Sequence, residues 1–279
     1  MVALKPQSVV YDFDASRSRF AYARRDLALA LAKPRLIRTL IASDITSRYK
    51  GATLGAFWIS LTTLATASGL AFLYGKILGA DLKSYYPYVT TGIIVWGLIS
   101  TIINDGASAF VAGSALFTQT PIPKSVVVFR VIGRALWVLM FKLIVLLAVL
   151  LFVGALPSLS GVLTSLAGLA LIVWTGFFCA LAIGPLAARF RDLGQLVDVG
   201  LTFSFFATPV FWSADRLGEY KRFLDFNPFY HFLNIVRGPL LGAPDVSISF
   251  IWATGLAAIT TVVGWIFYGY FARRLTYWC

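Results

Sequence analysis

Charge is scarce in this chain of 279 residues. Lys, Arg, Asp and Glu make up 13% of it, about half the share found in an ordinary soluble domain. A water-facing surface needs more polar residues than that, so a soluble globular fold is excluded and lipid is the expected solvent. Acid is scarcer still: 12 Asp and Glu stand against 24 Lys and Arg, with a single histidine, His231. A cluster of His, Cys and carboxylates cannot be assembled from groups so few and so dispersed, so no catalytic or metal-ligating residues are expected. The two cysteines, Cys179 in an apolar run and Cys279 at the last position, have no CxxC or metal-ligand spacing and read as structural or incidental. No GxxxxGK[ST] sequence occurs, so a Walker A loop for ATP is absent. The first 50 residues lack the apolar h-region of a signal peptide, and the N-terminus is expected to stay in place.

What the chain has instead is hydrophobic length. Apolar residues make up 59% of it, and the mean hydropathy is +0.81. A hydrocarbon core of about 30 Å needs about 20 mostly apolar residues in a helix. Such runs lie at roughly 55–78, 87–110, 127–153, 162–187, 196–212 and 249–271. The expected fold is therefore all-α and polytopic, with six transmembrane helices, the fifth of them short. Ten of the 24 basic residues precede residue 51. With the N-terminus inside, the cytoplasmic segments carry 15 basic residues and the external ones six, which favours both termini in the cytoplasm. Basic charge so placed fits an orientation signal and anionic membrane lipids, not nucleic acid.

Four local patterns interrupt the apolar runs. From Pro34 to Lys50, Leu36, Ile37, Leu40, Ile41, Ile45 and Tyr49 fall at helical spacing, with Arg35, Arg38 and Arg48 on other faces. This is an amphipathic interface helix, either a membrane-surface anchor or a lever to a cytoplasmic partner. Residues 111–124 form the longest internal cytoplasmic connection. Its Leu116 and Phe117, beside Gln119, are expected to project for docking into a partner's cleft or to dip into lipid. Arg130 and Arg134 in the third span and Asp198 in the fifth are ionisable groups inside the membrane, so Asp198 is expected to pair with Arg134 or Arg130; snorkelling is the other reading for Arg130. Asn227-Pro228 starts, and Gly238-Pro239 stops, a helix of about ten residues and about 15 Å, too apolar for water and too short to span. It is expected to be re-entrant from the outer side between spans five and six, with His231, Asn234 and Arg237 on one face, lining a polar exit or simply capping the helix.

Together these pieces resemble the type-2 ABC exporter permeases that handle polysaccharides, the O-antigen and capsule exporters. The resemblance rests on Ser47-Arg-Tyr-Lys-Gly-Ala-Thr-Leu-Gly-Ala-Phe-Trp58, Arg189-Phe-Arg-Asp-Leu193, Thr208-Pro-Val-Phe-Trp212 and Asn227 to Gly242, and covers roughly residues 35–275. It implies three parts: a cytoplasmic extension at 1–33 that the resemblance does not explain, an interface helix at 34–50, and a type-2 transmembrane domain at 51–275. It further implies a homodimer in the bacterial inner membrane, bound to two ATPase subunits that carry ATP and Mg, with no cofactor on this chain. Residues 112–121, with Leu116, Phe117 and Gln119, become the coupling helix, and His231, Asn234 and Arg237 belong to an external gate. The substrate implied is a lipid-linked glycan threaded between the two copies.

Sugar rings lie against aromatic faces, and the chain has 43 aromatic residues. Trp58, Phe72 and Tyr74 in the first span and Phe203, Phe206, Phe211 and Trp212 in the fifth are the candidates for lining a channel; facing lipid or core is the alternative for each. An ABC-2 exporter of a small hydrophobic drug or haem is the neighbouring alternative. A polytopic glycosyltransferase would need a His and carboxylate constellation that the sequence lacks.

Overall fold

A computed structural model of the chain describes residues 18–242 and 245–278. Residues 1–17 of the expected N-terminal extension, and Cys279, lie outside the described residues. The described part consists of helices and connections: α1 (Arg19–Leu31), α2 (Pro34–Tyr49), α3 (Phe57–Leu78), α4 (Leu82–Ala112), α5 (Ser114–Gln119), α6 (Val126–Val153), α7 (Leu159–Arg189), α8 (Leu193–Ala207), a kinked 3-10 segment (Ala214–Phe226), α9 (Pro228–Leu240), α10 (Ser247–Phe271) and α11 (Leu275–Trp278).

Five of these, α3, α4, α6, α7 and α10, are long and apolar enough to cross a membrane. The protein is an all-α polytopic membrane protein. α8 has 15 residues, so it reaches only about 22 Å at 1.5 Å per residue. The sequence places a span to residue 212 here, but the helix stops at Ala207 because Pro209 forces Thr208 out of the helical region (ψ 137). α4 differs in the other direction. It begins at Leu82 rather than near residue 87, carrying Pro87 inside its second turn, where the missing amide interrupts one helical bond.

α4 and α7 pack against each other at the centre. α10 and α9 cover α7, while α6, α3 and α8 lie against α4. A core of Ile94, Val95, Leu98, Ile102, Leu139, Leu146, Ile172, Leu233 and Ile235 joins them. α2 lies along the start of α6, α1 lies on α10, and α11 touches α5 and α7. These four short helices mark one end of the bundle, which also holds Arg130 and Arg134. The 3-10 segment and α9 mark the opposite end.

Candidate functional site

α4 is enclosed on most sides, yet one of its faces is left partly uncovered. That face carries Gly97, Ser100, Thr101, Asn104, Asp105 and Ser108, at the three- and four-residue spacing of a single helical stripe. A polar stripe on an apolar helix is costly against lipid, so it belongs against water or other polar groups. Side chains from both flanking helices meet it. From α6, Arg134 Nη2 donates to Asp105 Oδ2 at 2.7 Å, and the Lys142 ammonium reaches over Gly97. From α8, Asp198 Oδ1 accepts from Asn104 Nδ2 at 3.2 Å.

The expected pairing of Asp198 with Arg134 or Arg130 is thereby corrected. α6 and α8 flank α4, and the adjacent Asn104 and Asp105 divide the charges between them. Arg134 goes to Asp105, and Arg130 goes to Asp44 of α2 through Nε (2.6 Å to Oδ2) and Nη2. Asp44 also lies 3.6 Å from Arg134 Nη1. α2 comes close enough for this because Gly133 offers no β-carbon: one placed there would collide with Ile41. Tyr49 and Trp137, with centroids 5.8 Å apart, continue the contact. Arg35, Arg38 and Arg48 point away from α6 and are exposed.

At the opposite end the backbone from Thr208 to Ser213 runs without helix, and side chains take up its carbonyls. Arg237 Nη1 donates to the Pro209 carbonyl at 2.8 Å and reaches that of Val210 at 3.5 Å. The Tyr88 hydroxyl donates to the Trp212 carbonyl at 2.9 Å, and that of Tyr85 to the Phe211 carbonyl. The Arg237 guanidinium lies 3.7 Å from the Tyr88 ring centre, a cation–π contact in a dry site. Gly92 admits the crossing, since a β-carbon there would collide with the Val210 carbonyl. Asn227 caps α9 by accepting from the amides of Phe229 and Tyr230, and its own amide donates to Thr208 Oγ1 at 3.1 Å. Irregular backbone at membrane depth requires such partners.

This end revises the expected exit face. His231 and Arg237 are 1% and 5% exposed. His231 Nδ1 and Asn234 Nδ2 both meet Ser249 Oγ of α10 (3.2 and 2.9 Å), while Arg237 turns towards α4. Each step of three residues falls about 60° short of a full turn, so the three side chains fan out to α10, to the Asp225 carbonyl and to the 208–213 backbone, and brace α9 instead of opening a polar face.

A family model described as "ABC-2 type transporter" matches residues 35–241. The chain belongs to the ABC-2 type transporter family. Two relatives carry the same name, O-antigen export system permease protein RfbA. The one from Klebsiella pneumoniae is 27% identical over 235 residues, 82% of this chain and 89% of its own length. The one from Myxococcus xanthus is 23% identical over 232 residues, 78% of this chain and 89% of its own. The segment matched to the ABC-2 family takes in α2 to α9 and leaves α1 and α10 outside.

Within that segment, the docking residues expected on α5 are redistributed. Phe117 is buried at 8% exposure in a cluster with Ala23, Phe110, Val127, Tyr268 and Leu275, and Leu116 packs against the same cluster. The short helix is amphipathic, so the outward side consists of Ala115, Thr118 and Gln119. Of the aromatic candidates, Trp58, Phe72, Phe203 and Phe206 are exposed on the surface of this single chain. Tyr74 and Phe211 pack on each other at 4.9 Å, and Trp212 Nε1 donates to the Phe206 carbonyl at 3.2 Å. Asp44 reads from the sequence only as a polar-face residue of the interface helix, Tyr85 and Tyr88 only as interfacial aromatics, and Asn104 and Asp105 are not singled out at all. Asn104-Asp105 inside an apolar run is the signal that could have found the last two.

Proposed function

We propose that this chain is the membrane permease of an ATP-driven exporter that moves a lipid-linked polysaccharide of the O-antigen type out of the cytoplasm. The observation that carries the reading is the uncovered polar stripe of α4 between α6 and α8. A polymer of hydroxyl-bearing rings needs a hydrogen-bonding wall, whereas a small hydrophobic cargo does not. The relatives' names agree with that substrate class. The stripe ends in carboxylates and guanidinium groups towards the end that carries α5, where charged groups meet water. On this reading that end is cytoplasmic, both termini lie there, and the membrane is the bacterial inner membrane. The chain works as a pair, with exposed Trp58, Phe72, Phe203 and Phe206 turned towards the second copy. ATP and Mg are held by two copies of a separate ATPase subunit, which dock on Ala115, Thr118 and Gln119 and on the exposed arginines of α2.

The test is purification of the chain from its own membrane together with a nucleotide-hydrolysing subunit, and deletion of its gene. The expected result is a stoichiometric ATPase partner and polymer trapped on the cytoplasmic side. Polymer reaching the surface at the normal rate in the deletion strain would contradict the reading.

A further inference from the structure

α1 precedes the ABC-2 match, and one buried carboxylate fixes it to the bundle. Asp26 is 6% exposed although its sequence neighbours Arg24 and Arg25 are exposed. Its Oδ1 accepts from the Lys124 amide at 2.8 Å, and its Oδ2 from the Ser125 amide at 2.9 Å and the Tyr268 hydroxyl at 2.6 Å. The Asp26 carbonyl takes the Ser125 hydroxyl at 3.3 Å. Lys124 and Ser125 lie immediately before α6, where free amides and the helix dipole favour a carboxylate. Tyr268 belongs to the last turns of α10. Lys124 Nζ completes the joint by donating to the Ala272 carbonyl, just past the end of α10, at 2.8 Å. Phe20 of α1 meets Tyr270 edge-on at 5.7 Å, and Phe117 of α5 shares a buried cluster with Ala23 of α1 and with Tyr268.

A six-residue helix on a loop has little rigidity of its own, because few buried contacts and bonds resist its local opening. The connection from α5 to α6 runs through Thr120–Ser125 with two prolines, so a push on α5 alone would be absorbed there. α1 removes that slack by holding the start of α6 and the end of α10 on one carboxylate. We propose that α1 is a coupling brace, and that Asp26 makes α5, α6 and α10 move as one block when the ATPase acts on α5. This rests on the permease reading above. Asp26 acts through these helices and touches no substrate, so it is a positioning residue.

The experiment uses the full chain with its ATPase subunit in the native host. ATP hydrolysis by the purified complex and polymer at the cell surface are both normalised to the amount of complex. Asp26→Ala is expected to keep ATPase binding and hydrolysis within about twofold, while surface polymer falls about tenfold, a typical size for energetic coupling between sites. Tyr268→Phe keeps volume, the α6 cap and the Lys124 bond to Ala272 but removes the bond from α10 to Asp26, and surface polymer should fall about threefold with hydrolysis unchanged. Should Asp26→Ala fail to accumulate, Tyr268→Phe carries the test alone. Arg25→Ala, exposed beside Asp26, should change neither quantity. Export per ATP hydrolysed that stays at the wild-type value in Tyr268→Phe and in any Asp26→Ala complex overturns the proposal, as does a parallel fall of both quantities. Absence of any ATPase from the wild-type preparation would instead overturn the permease reading.

Discussion

The two ends of the bundle solve the same packing problem with different chemistry. At the end with α1, α2 and α5, three carboxylates do the joining: Asp26 to two amides and Tyr268, Asp44 to Arg130 and Arg134, and Asp105 to Arg134. The groups of the last two pairs are only partly covered. At the end with α9, one buried arginine and two tyrosines hold the carbonyls of a broken helix through neutral acceptors. The arginine–carboxylate pairs of the first end are partly exposed, whereas Arg237, like Asp26, is buried. Charged pairs near water keep much of their hydration and can be rearranged, whereas a break in the backbone away from water must be fully satisfied in place. The first end is suited to being moved, and the second to holding its shape until it is displaced as a unit.

Four substitutions break or sharpen that comparison. Arg237→Leu should have the largest effect, since it takes the guanidinium donor from the Pro209 and Val210 carbonyls, leaving the former only the longer 3.3 Å bond from Tyr88, and removes the contact with the Tyr88 ring. A loss on the order of 3–5 kcal/mol is expected, read as a collapse of the midpoint for thermal unfolding in detergent. Gly92→Ala forces a β-carbon onto the Val210 carbonyl and should lose about 1–3 kcal/mol by overpacking, with neither loss depending on salt. Asp44→Asn at the other end should lose about 1–2 kcal/mol after allowance for its partial exposure. In contrast to the first two, that loss should shrink between low and high salt, and a salt-independent loss would erase the distinction between the ends.

The smallest effect is expected outside the bundle. Lys221 hydrogen-bonds Asp215 at 2.7 Å, which holds the Asp215 carboxyl below its usual range and raises Lys221. With the folded carboxyl lower than the unfolded one, its contribution is complete above the unfolded value and lost as pH falls through the folded value. The raised lysine contributes fully at neutral pH and loses its share only as pH climbs through its folded value. Both groups are exposed, so Lys221→Ala should lose only a few tenths of a kcal/mol at neutral pH. It should lose nothing at a pH acidic enough to protonate Asp215 in the folded chain.

Local grammar made much of the architecture legible. The Asn227-Pro228 pair begins α9, and the amphipathic run after Pro34 is α2. The end of α9 was less clear, since Pro239 is accommodated within its last turn and the helix reaches Leu240. The partners of the charges were not legible. Arg130 and Arg134 sit one turn apart in the sequence, but which acid they meet depends on which helices lie beside α6. Asp44 arrives from a surface helix and Asp105 from the neighbouring span. Phe117 looks like a projecting group in a polar loop, and only the packing of α1, α10 and α11 around α5 shows that it faces inward. Asp26, in the segment the resemblance did not explain, has no local pattern because all its partners are about 100 residues away or more.

The polar stripe of α4 is the proposed path of the polymer, and aqueous access to it can be measured directly. In a full-length chain carrying Cys179→Ser and Cys279→Ser, single cysteines are placed at Thr101 on the stripe and at Leu147, exposed on α6. A membrane-impermeant, water-soluble thiol reagent is then applied to the assembled exporter in inverted membrane vesicles from the native host. Thr101→Cys is expected to react, faster when the ATPase is trapped with nucleotide, and Leu147→Cys is expected to stay unmodified. Equal protection of the two cysteines in every nucleotide state would contradict that path.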